Sequence, residues 1–155
     1  MSSFKNLAVG LGIGIIALAS AGCGDNQEPQ AADDFWTRIQ ASNYQSWSRP
    51  PGYETRQPSS APHGDSNEIF VNPVIQAVLT DAKPLAEWPL DSWVIKAGYD
   101  DDALFLVASM EKRADGWFWA EYDEAGVAAY SGKPDLCIDC HSAGSDYMQA
   151  FVLPQ

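Results

Sequence analysis

Basic residues and histidines are scarce in this chain of 155 residues. It holds 9 Lys and Arg against 21 Asp and Glu, which gives a formal net charge of −12, and it has only 2 His. Nucleic-acid binding needs clustered basic side chains that contact phosphates, so we expect no nucleic-acid partner. An acidic surface keeps a protein soluble, which is the simpler explanation, and it also favours basic partners.

Cysteine is equally scarce, and its placement limits the available chemistry. Of the 3 cysteines, Cys23 stands alone, whereas Cys137 and Cys140 lie in the sequence CIDCH, which ends at His141. A Cys-x-x-Cys pair is typical of three chemistries: a disulfide or redox couple, half of a zinc site, and covalent haem attachment.

Zinc and redox chemistry fit the rest of the sequence less well. Zinc takes about four ligands, and besides Cys23 the only soft ligands are Cys137, Cys140, His141 and the distant His63. Adjacent residues such as Cys140 and His141 rarely both reach one tetrahedral ion. A redox dithiol is expected at the start of a helix in a βαβ unit, and the sequence pattern contains no such unit. A plain structural disulfide without haem is a further alternative.

Covalent haem attachment accounts for the whole motif. Each thiol adds across a haem vinyl group to form a thioether, and the histidine that follows becomes an axial ligand of the iron. We therefore predict one haem c, bound through Cys137 and Cys140, with its iron held by His141. Without a second strong ligand the iron is five-coordinate and binds small molecules, whereas a second ligand favours electron transfer.

The N-terminus contains an uncharged apolar run of about 15 residues, Leu7 to Ala21, which follows Lys5. The run is short for a membrane span and typical of a signal peptide. The small residues before Cys23 resemble a bacterial lipobox, although Ser20 stands where leucine is usual. We predict a signal peptide over residues 1–22, lipid attachment at Cys23, and a location in the bacterial periplasm or cell envelope. The only expected membrane contact is the lipid anchor; ordinary signal cleavage beside an incidental cysteine is the alternative.

After Cys23 the sequence predicts a tether, a short helix and one domain. GDNQEPQAADD is polar and indicates a flexible tether, and FWTRIQAS indicates a helix that Asp33 or Asp34 would cap. The tether and helix occupy residues 23–46, and the haem-binding domain occupies residues 47–155. Aromatic residues make up 12% of the chain, and their flat rings suit the walls of a cofactor pocket.

Apolar runs separated by turn signals predict a β-sheet. The strand candidates, in chain order, are EIFVN, SWVIKAGY, ALFLVASMEK, WFWAEYD and VAAYS. A helix is expected over PVIQAVLTDAK, and the Pro-, Gly- and Ser-rich residues 47–64 indicate an irregular arm. The fold class is therefore α+β, with an antiparallel sheet of about five strands, flanking helices and a haem c attached near the C-terminus.

Four segments together resemble the cytochrome P-460 family, which includes the cytochromes c′-beta. They are APHGDSNEIFVNP, WPLDSWVIKAG, DGWFWAEYDEAG and CIDCHSAGSDYM, in the family's order and spanning Ala61 to Met148. The resemblance implies a compact antiparallel sheet, often in a homodimer. It also implies a five-coordinate haem c whose open distal face binds nitric oxide or a similar small molecule.

The resemblance implies two alternative activities. The first is a haem module for gas binding or electron transfer, which exchanges electrons with a redox partner protein. The second is an oxidoreductase acting on hydroxylamine or a related nitrogen compound, as in the family's enzymes. There a strand lysine, Lys96 by motif position, is bonded to the haem edge. A distal carboxylate assists proton removal, and Glu111 and Glu121 are its candidates here.

Several other side chains have two interpretations each. Lys96 either points at the haem or extends its ammonium to solvent or a propionate. His63 is a distal ligand or propionate partner, or else it closes a turn. Met110 is a sixth iron ligand or a core residue, and Tyr147 packs either on the proximal side or on the core. Three aromatic residues of one strand are expected to divide between core and pocket wall: Trp117, Phe118 and Trp119.

Overall fold

The computed structural model of the chain describes residues 25–60 and 62–155. The predicted signal peptide, residues 1–22, and the predicted lipid-attachment residue Cys23 lie outside these residues. Across the described ranges, no helix combines the length and apolar character that crossing a membrane requires.

Six antiparallel strands form one sheet in which each strand pairs with its neighbours in the chain. The strands are β1 (Gln57–Pro58), β2 (Ser66–Val71), β3 (Trp93–Asp100), β4 (Ala103–Arg113), β5 (Gly116–Asp123) and β6 (Ala128–Gly132). The helices are α1 (Pro29–Ala41), α2 (Pro73–Asp81) and α3 (Asp135–His141), and a 3-10 turn covers Tyr44–Ser46. The predicted α+β class and antiparallel sheet are confirmed.

The sheet has one strand more than the sequence predicted. The extra strand is β1, which pairs with β2 through Gln57 opposite Asn67 and lies at the edge of the sheet. An edge position suits Pro58, because proline has no N–H to donate to a second neighbour. Two residues are too few to show alternation, so the sequence pattern indicated only an irregular arm here.

Because side chains alternate along the strands, the sheet has two apolar faces, and different segments of the chain pack against each. The first face packs against α1, and its core includes Phe35, Ile39, Ile95, Phe118 and Tyr122. The second face packs against α2, α3 and the C-terminal segment, and its core includes Ile75, Val94, Met110, Trp119 and Phe151. The CIDCH motif, in α3, therefore lies against the second face.

Helix α1 begins earlier than the sequence predicted. It starts at Pro29, whose fixed φ suits the first turn of a helix, so Asp33 and Asp34 lie inside the helix and do not cap it. Phe35 and Ile39 are fully buried against the sheet. The predicted limit at residue 47 therefore does not separate two cores.

The residues before α1 pair with strand β6. The N–H of Gln27 donates to the carbonyl of Ser131 at 3.2 Å, and the N–H of Ser131 donates to the carbonyl of Asp25 at 3.1 Å. The N–H of Glu28 donates to Oγ of Ser131 at 2.8 Å. The expected flexible tether is thus wrong from Asp25 onward, because these polar residues bond to the backbone at a sheet edge.

We expect Ile39→Ala to lower the free energy of unfolding by about 2–5 kcal/mol, because the removed methyl groups leave a cavity between α1 and the sheet. Val152→Ala is the matched control, since Val152 is 67% exposed. Urea denaturation of both variants measures the difference. Equal stability of Ile39→Ala and the control would show that α1 does not hold this face of the sheet.

Candidate functional site

A cleft of about 260 Å³ lies between the second face of the sheet and helix α3. Residues paired across five strands form part of its floor: Ile69, Lys96, Ala108, Glu121 and Tyr130. The volume is just below the ~300–1,000 Å³ typical of small-molecule sites. The cleft is partly open to solvent, so a large flat occupant would keep one edge exposed.

Helix α3 brings the CIDCH motif to this cleft. The carbonyl of Pro134 accepts the N–H of Cys137 at 3.0 Å and so starts the helix. Cys137, Cys140 and His141 are spaced i, i+3 and i+4, which places them on one helical face. All three line the cleft, and both cysteines are free thiols. The structure therefore brings together the two thiols and the imidazole that the sequence singled out.

The electrostatics of Cys137 do not favour a redox couple. Burial raises the pKa of its thiol to about 11, and the nearby Glu121 and Cys140 add to the effect. Redox-active cysteines have lowered thiol pKa values, because the thiolate is the reactive form. Cys137 is instead a protonated thiol at neutral pH.

The zinc hypothesis gains no support from the geometry. Among residues 25–60 and 62–155, no group of three or more His, Cys, Asp and Glu side chains is placed to hold a metal ion. A haem iron needs fewer protein ligands than zinc, because the macrocycle supplies most of the ligands and one histidine suffices. The thiols and imidazole on one face of α3 fit that requirement.

One hydrogen bond defines the chemical state of His141. Its Nδ1 lies 2.9 Å from the backbone carbonyl oxygen of Tyr147. A carbonyl can only accept, so Nδ1 carries the proton and the lone pair of the neutral ring is on Nε2. Burial lowers the pKa of His141, although the bond to Tyr147 opposes this, so the ring is neutral at pH 7. A neutral imidazole with an available Nε2 is the form that binds iron.

The Tyr147 carbonyl belongs to a tight turn over residues 145–148. Ser145 and Met148 exchange backbone hydrogen bonds of 2.9 and 3.1 Å. The central residues Asp146 and Tyr147 have φ of 47° and 66°, an arrangement that usually contains glycine or asparagine. For a bulky residue such as Tyr147 this conformation costs about 1–3 kcal/mol. Gly144 is needed beside the turn, because a Cβ there would lie 2.5 Å from the backbone carbon of Met148.

The side chain of Asp146 anchors this turn to the sheet. Its Oδ2 accepts from Nζ of Lys112 at 2.8 Å and from the backbone N–H of Trp88 at 2.8 Å. Nε1 of Trp117 donates to the backbone carbonyl of Asp146 at 3.0 Å. The side chains of Lys112 and Asp146 are only 8% and 11% exposed, so the pair is screened from water.

The sequence did not point to Asp146 or Lys112 as site residues. Asp146 appears in the SDYM segment after CIDCH, but a single aspartate in a polar stretch carries no sign of burial. Its partners Lys112 and Trp88 are 34 and 58 residues away in the chain. Only the folded structure brings them together.

The aromatic residues of β5 divide as predicted. Trp119 lines the cleft, and its ring meets His141 edge to face, with centroids 4.7 Å apart. Phe118 lies on the opposite face against Phe35. Trp117 is buried behind the cleft in the second core. Trp119 therefore restricts the rotation of the His141 ring.

Met110 is a core residue that also reaches the cleft, whereas Tyr147 belongs to neither core. Met110 is 6% exposed and belongs to the second core, yet it also lines the cleft. Tyr147 is 38% exposed, and its ring lies 6.4 Å from that of Trp119, centroid to centroid. The contribution of Tyr147 to His141 is made by its backbone carbonyl.

Lys96 projects into the cleft from the middle of the central strand β3. Burial lowers the pKa of its ammonium, against the opposite electrostatic effects of Cys140 and Glu121. No hydrogen bond or ion pair to Nζ of Lys96 is formed by the residues that the structure describes. Lys96 is thus a partly buried amine that faces the same space as the thiols.

Glu121 faces the cleft from a strand two positions away from that of Lys96, and His63 lies beside Glu121. Nδ1 of His63 is 3.0 Å from Oε2 of Glu121, but the N–H direction does not point at the carboxylate. The contact is therefore close, but it is not an aligned hydrogen bond. His63 reaches this position because its backbone crosses Gly98, where a Cβ would lie 2.2 Å from the His63 carbonyl oxygen.

Glu111, the other carboxylate candidate, is not in the cleft. It lies on the α1 side of the sheet, where its oxygens accept from Nη1 of Arg38 at 2.6 Å and Nε of Arg113 at 2.6 Å. Strand alternation explains the difference, because Ala108 opposite Lys96 and Glu111 are three positions apart on β4 and so face opposite sides. Glu121 is the remaining candidate.

Comparison with protein-family models, with curated proteins and with solved structures finds no match to this chain. The resemblance to the cytochrome P-460 family therefore stays a prediction.

We expect Glu111→Gln to lower the free energy of unfolding at pH 7 by about 1–3 kcal/mol, because three charge-assisted hydrogen bonds from Arg38 and Arg113 weaken. Burial alone would raise the pKa of Glu111, but the bonds from Arg38 and Arg113 outweigh it and lower that pKa. A lowered folded-state pKa gives stability above the unfolded-state pKa that is lost as the pH falls through the folded-state value. The variant should therefore lose less stability than the wild type between pH 5 and strong acid.

Urea denaturation as a function of pH checks this expectation. Glu124→Gln is the control, because Glu124 is exposed at the turn between β5 and β6. An acid dependence identical in Glu111→Gln and the wild type would contradict the assignment of Glu111 to a stabilising pair.

Proposed function

We propose that the chain is an exported c-type cytochrome that binds one haem covalently through Cys137 and Cys140. His141 ligates the iron, and the opposite position stays open for a small ligand such as nitric oxide or serves electron transfer to a redox partner protein. The proposed location is the bacterial periplasm or cell envelope, with a lipid on Cys23 as the membrane anchor. A homodimer is part of the same proposal through the family resemblance.

The observation that carries the proposal is the arrangement on α3. Two free thiols and a neutral imidazole, with its lone pair on Nε2, line one cleft from a single helical face. Addition of each S–H across a vinyl double bond would form a thioether without any leaving group. The thiol supplies both the sulfur and the hydrogen, so a protonated thiol such as Cys137 has the composition that the addition needs. When bound, the haem supplies an iron that takes up a diatomic ligand or one electron.

The other cleft residues supply binding surface and control of polarity. Ile69, Val94 and Met110 form an apolar wall that excludes water from one side of the cleft. Lys96, Glu121 and His63 are the polar groups in the same space, and they set the charge that a bound ligand meets. Distal polarity decides whether a ligand is held or transformed.

The alternative function is oxidation of hydroxylamine or a related nitrogen compound. One observation favours it: Lys96 is a partly buried amine of lowered pKa that faces the cleft, and Glu121 lies two strands away in the same row. In this alternative Lys96 would be the residue that holds the haem edge, Glu121 would accept protons from the substrate, and the haem would supply the electron transfer to the redox partner protein.

We expect the full chain, made together with a bacterial haem-ligation system, to carry haem that stays attached on a denaturing gel. Its pyridine haemochrome spectrum should be that of a haem with two thioether bonds. The double variant Cys137→Ser/Cys140→Ser should lose the covalent haem, while Asp139→Ala should keep it, since Asp139 is exposed on the same helix and does not line the cleft. His141→Ala should retain the covalent haem but lose its ordinary axial ligation. Haem retained covalently in the double serine variant would contradict the proposal.

The two activities are separated by the spectrum of Lys96→Ala. We expect the wild type to show an ordinary c-type spectrum in the ferrous state and Lys96→Ala to leave it unchanged, as for a gas-binding or electron-transfer module. Lys133→Ala is the control, because Lys133 pairs with Asp115 at the surface. A strongly red-shifted wild-type band that Lys96→Ala abolishes, together with hydroxylamine oxidation, would establish the alternative.

A further inference from the structure

The turn over residues 145–148 contacts the imidazole of the CIDCH motif through one backbone carbonyl oxygen. The polar contact of His141 within the described chain is its Nδ1 bond to the Tyr147 carbonyl oxygen. The geometry of this bond depends on the backbone at Asp146 and Tyr147, which both have positive φ. Whatever stabilises that backbone conformation also orients the imidazole.

The side chain of Asp146 supplies that stabilisation. It is held by the buried ammonium of Lys112 at 2.8 and 3.1 Å, by the N–H of Trp88 and by Nε1 of Trp117. Lys112 and Trp117 lie on the strands β4 and β5 of the sheet. The turn is therefore fixed to the rigid sheet, although α3 itself is a short, largely exposed helix with no buried residue.

We propose that Asp146, clamped by Lys112, is a positioning residue for the proximal ligand and sets the donor strength of His141 through the Tyr147 carbonyl. The inference rests on the proposed function, because it concerns the iron that His141 would hold. A strong bond from Nδ1–H to a carbonyl makes the opposite nitrogen more basic and fixes the ring orientation. A more basic Nε2 favours ferric over ferrous iron and strengthens the iron–histidine bond.

Asp146→Ala tests this role in the haem-loaded full chain. Alanine removes every carboxylate contact and tolerates positive φ poorly, so the turn should relax and the Nδ1 bond should lengthen or break. We expect the iron–histidine stretching frequency of the ferrous protein, measured by resonance Raman spectroscopy, to fall. The midpoint potential should shift to more positive values.

Asp146→Asn provides a graded second variant. Asparagine accepts the left-handed conformation as readily as aspartate and keeps one acceptor oxygen for the N–H of Trp88, but it carries no negative charge and so loses the ion pair with Lys112. Both readouts should change in the same direction as in Asp146→Ala and by less. Asp115→Asn is the control, because Asp115 pairs with a lysine at the surface, where its side chain is 72% exposed.

A purely stabilising aspartate would behave differently. It would lower the free energy of unfolding in the Asp146 variants without moving the stretching frequency or the potential. A wild-type stretching frequency and a wild-type midpoint potential in haem-loaded Asp146→Ala would overturn the inference. If that variant does not fold, wild-type values of the same two quantities in Asp146→Asn would overturn it. A wild-type protein that carries no haem would overturn the proposed function together with this inference, so the two failures are distinguishable.

Discussion

The hydrogen bond between Nδ1 of His141 and the Tyr147 carbonyl is the contact on which the site depends. It selects the tautomer of the neutral ring in which Nδ1 is protonated, and it leaves the lone pair on Nε2 free to bind a metal. The bond joins the end of α3 to a turn only six residues later, so motif and turn form one local unit. That unit is stable because Asp146 connects it to strands β4 and β5 through Lys112 and Trp117.

The two faces of the sheet differ in how completely they are covered. The face under α1 is a closed core with Phe35 and Ile39 fully buried, and its charged residue Glu111 is matched by two arginines. The other face is only partly covered, because α3 is short and leaves a cleft beside it. Lys96, whose ammonium has a pKa lowered by burial, faces this cleft, and titratable groups with perturbed pKa values are typical of functional sites.

Much of this architecture follows from sequence pattern, whereas the details of the site require the fold. Apolar runs and turn residues predicted the strands of the meander and helix α2, and Pro73 marked the start of that helix. The segment before α1 was misjudged because polar residues that pair with a sheet edge have the same composition as a tether. Glu111 and Glu121 could not be told apart without the strand register, which places only Glu121 on the row of Lys96. Asp146 could not be found at all, because its partners are distant in the chain.

Mass spectrometry of the purified, exported protein shows directly what is bonded to the CIDCH motif. We expect the peptide containing Cys137 and Cys140 to carry the added mass of one intact haem and no free thiol. A peptide with two unmodified thiols, or with a disulfide between them, from cells whose haem-ligation system works would contradict this expectation.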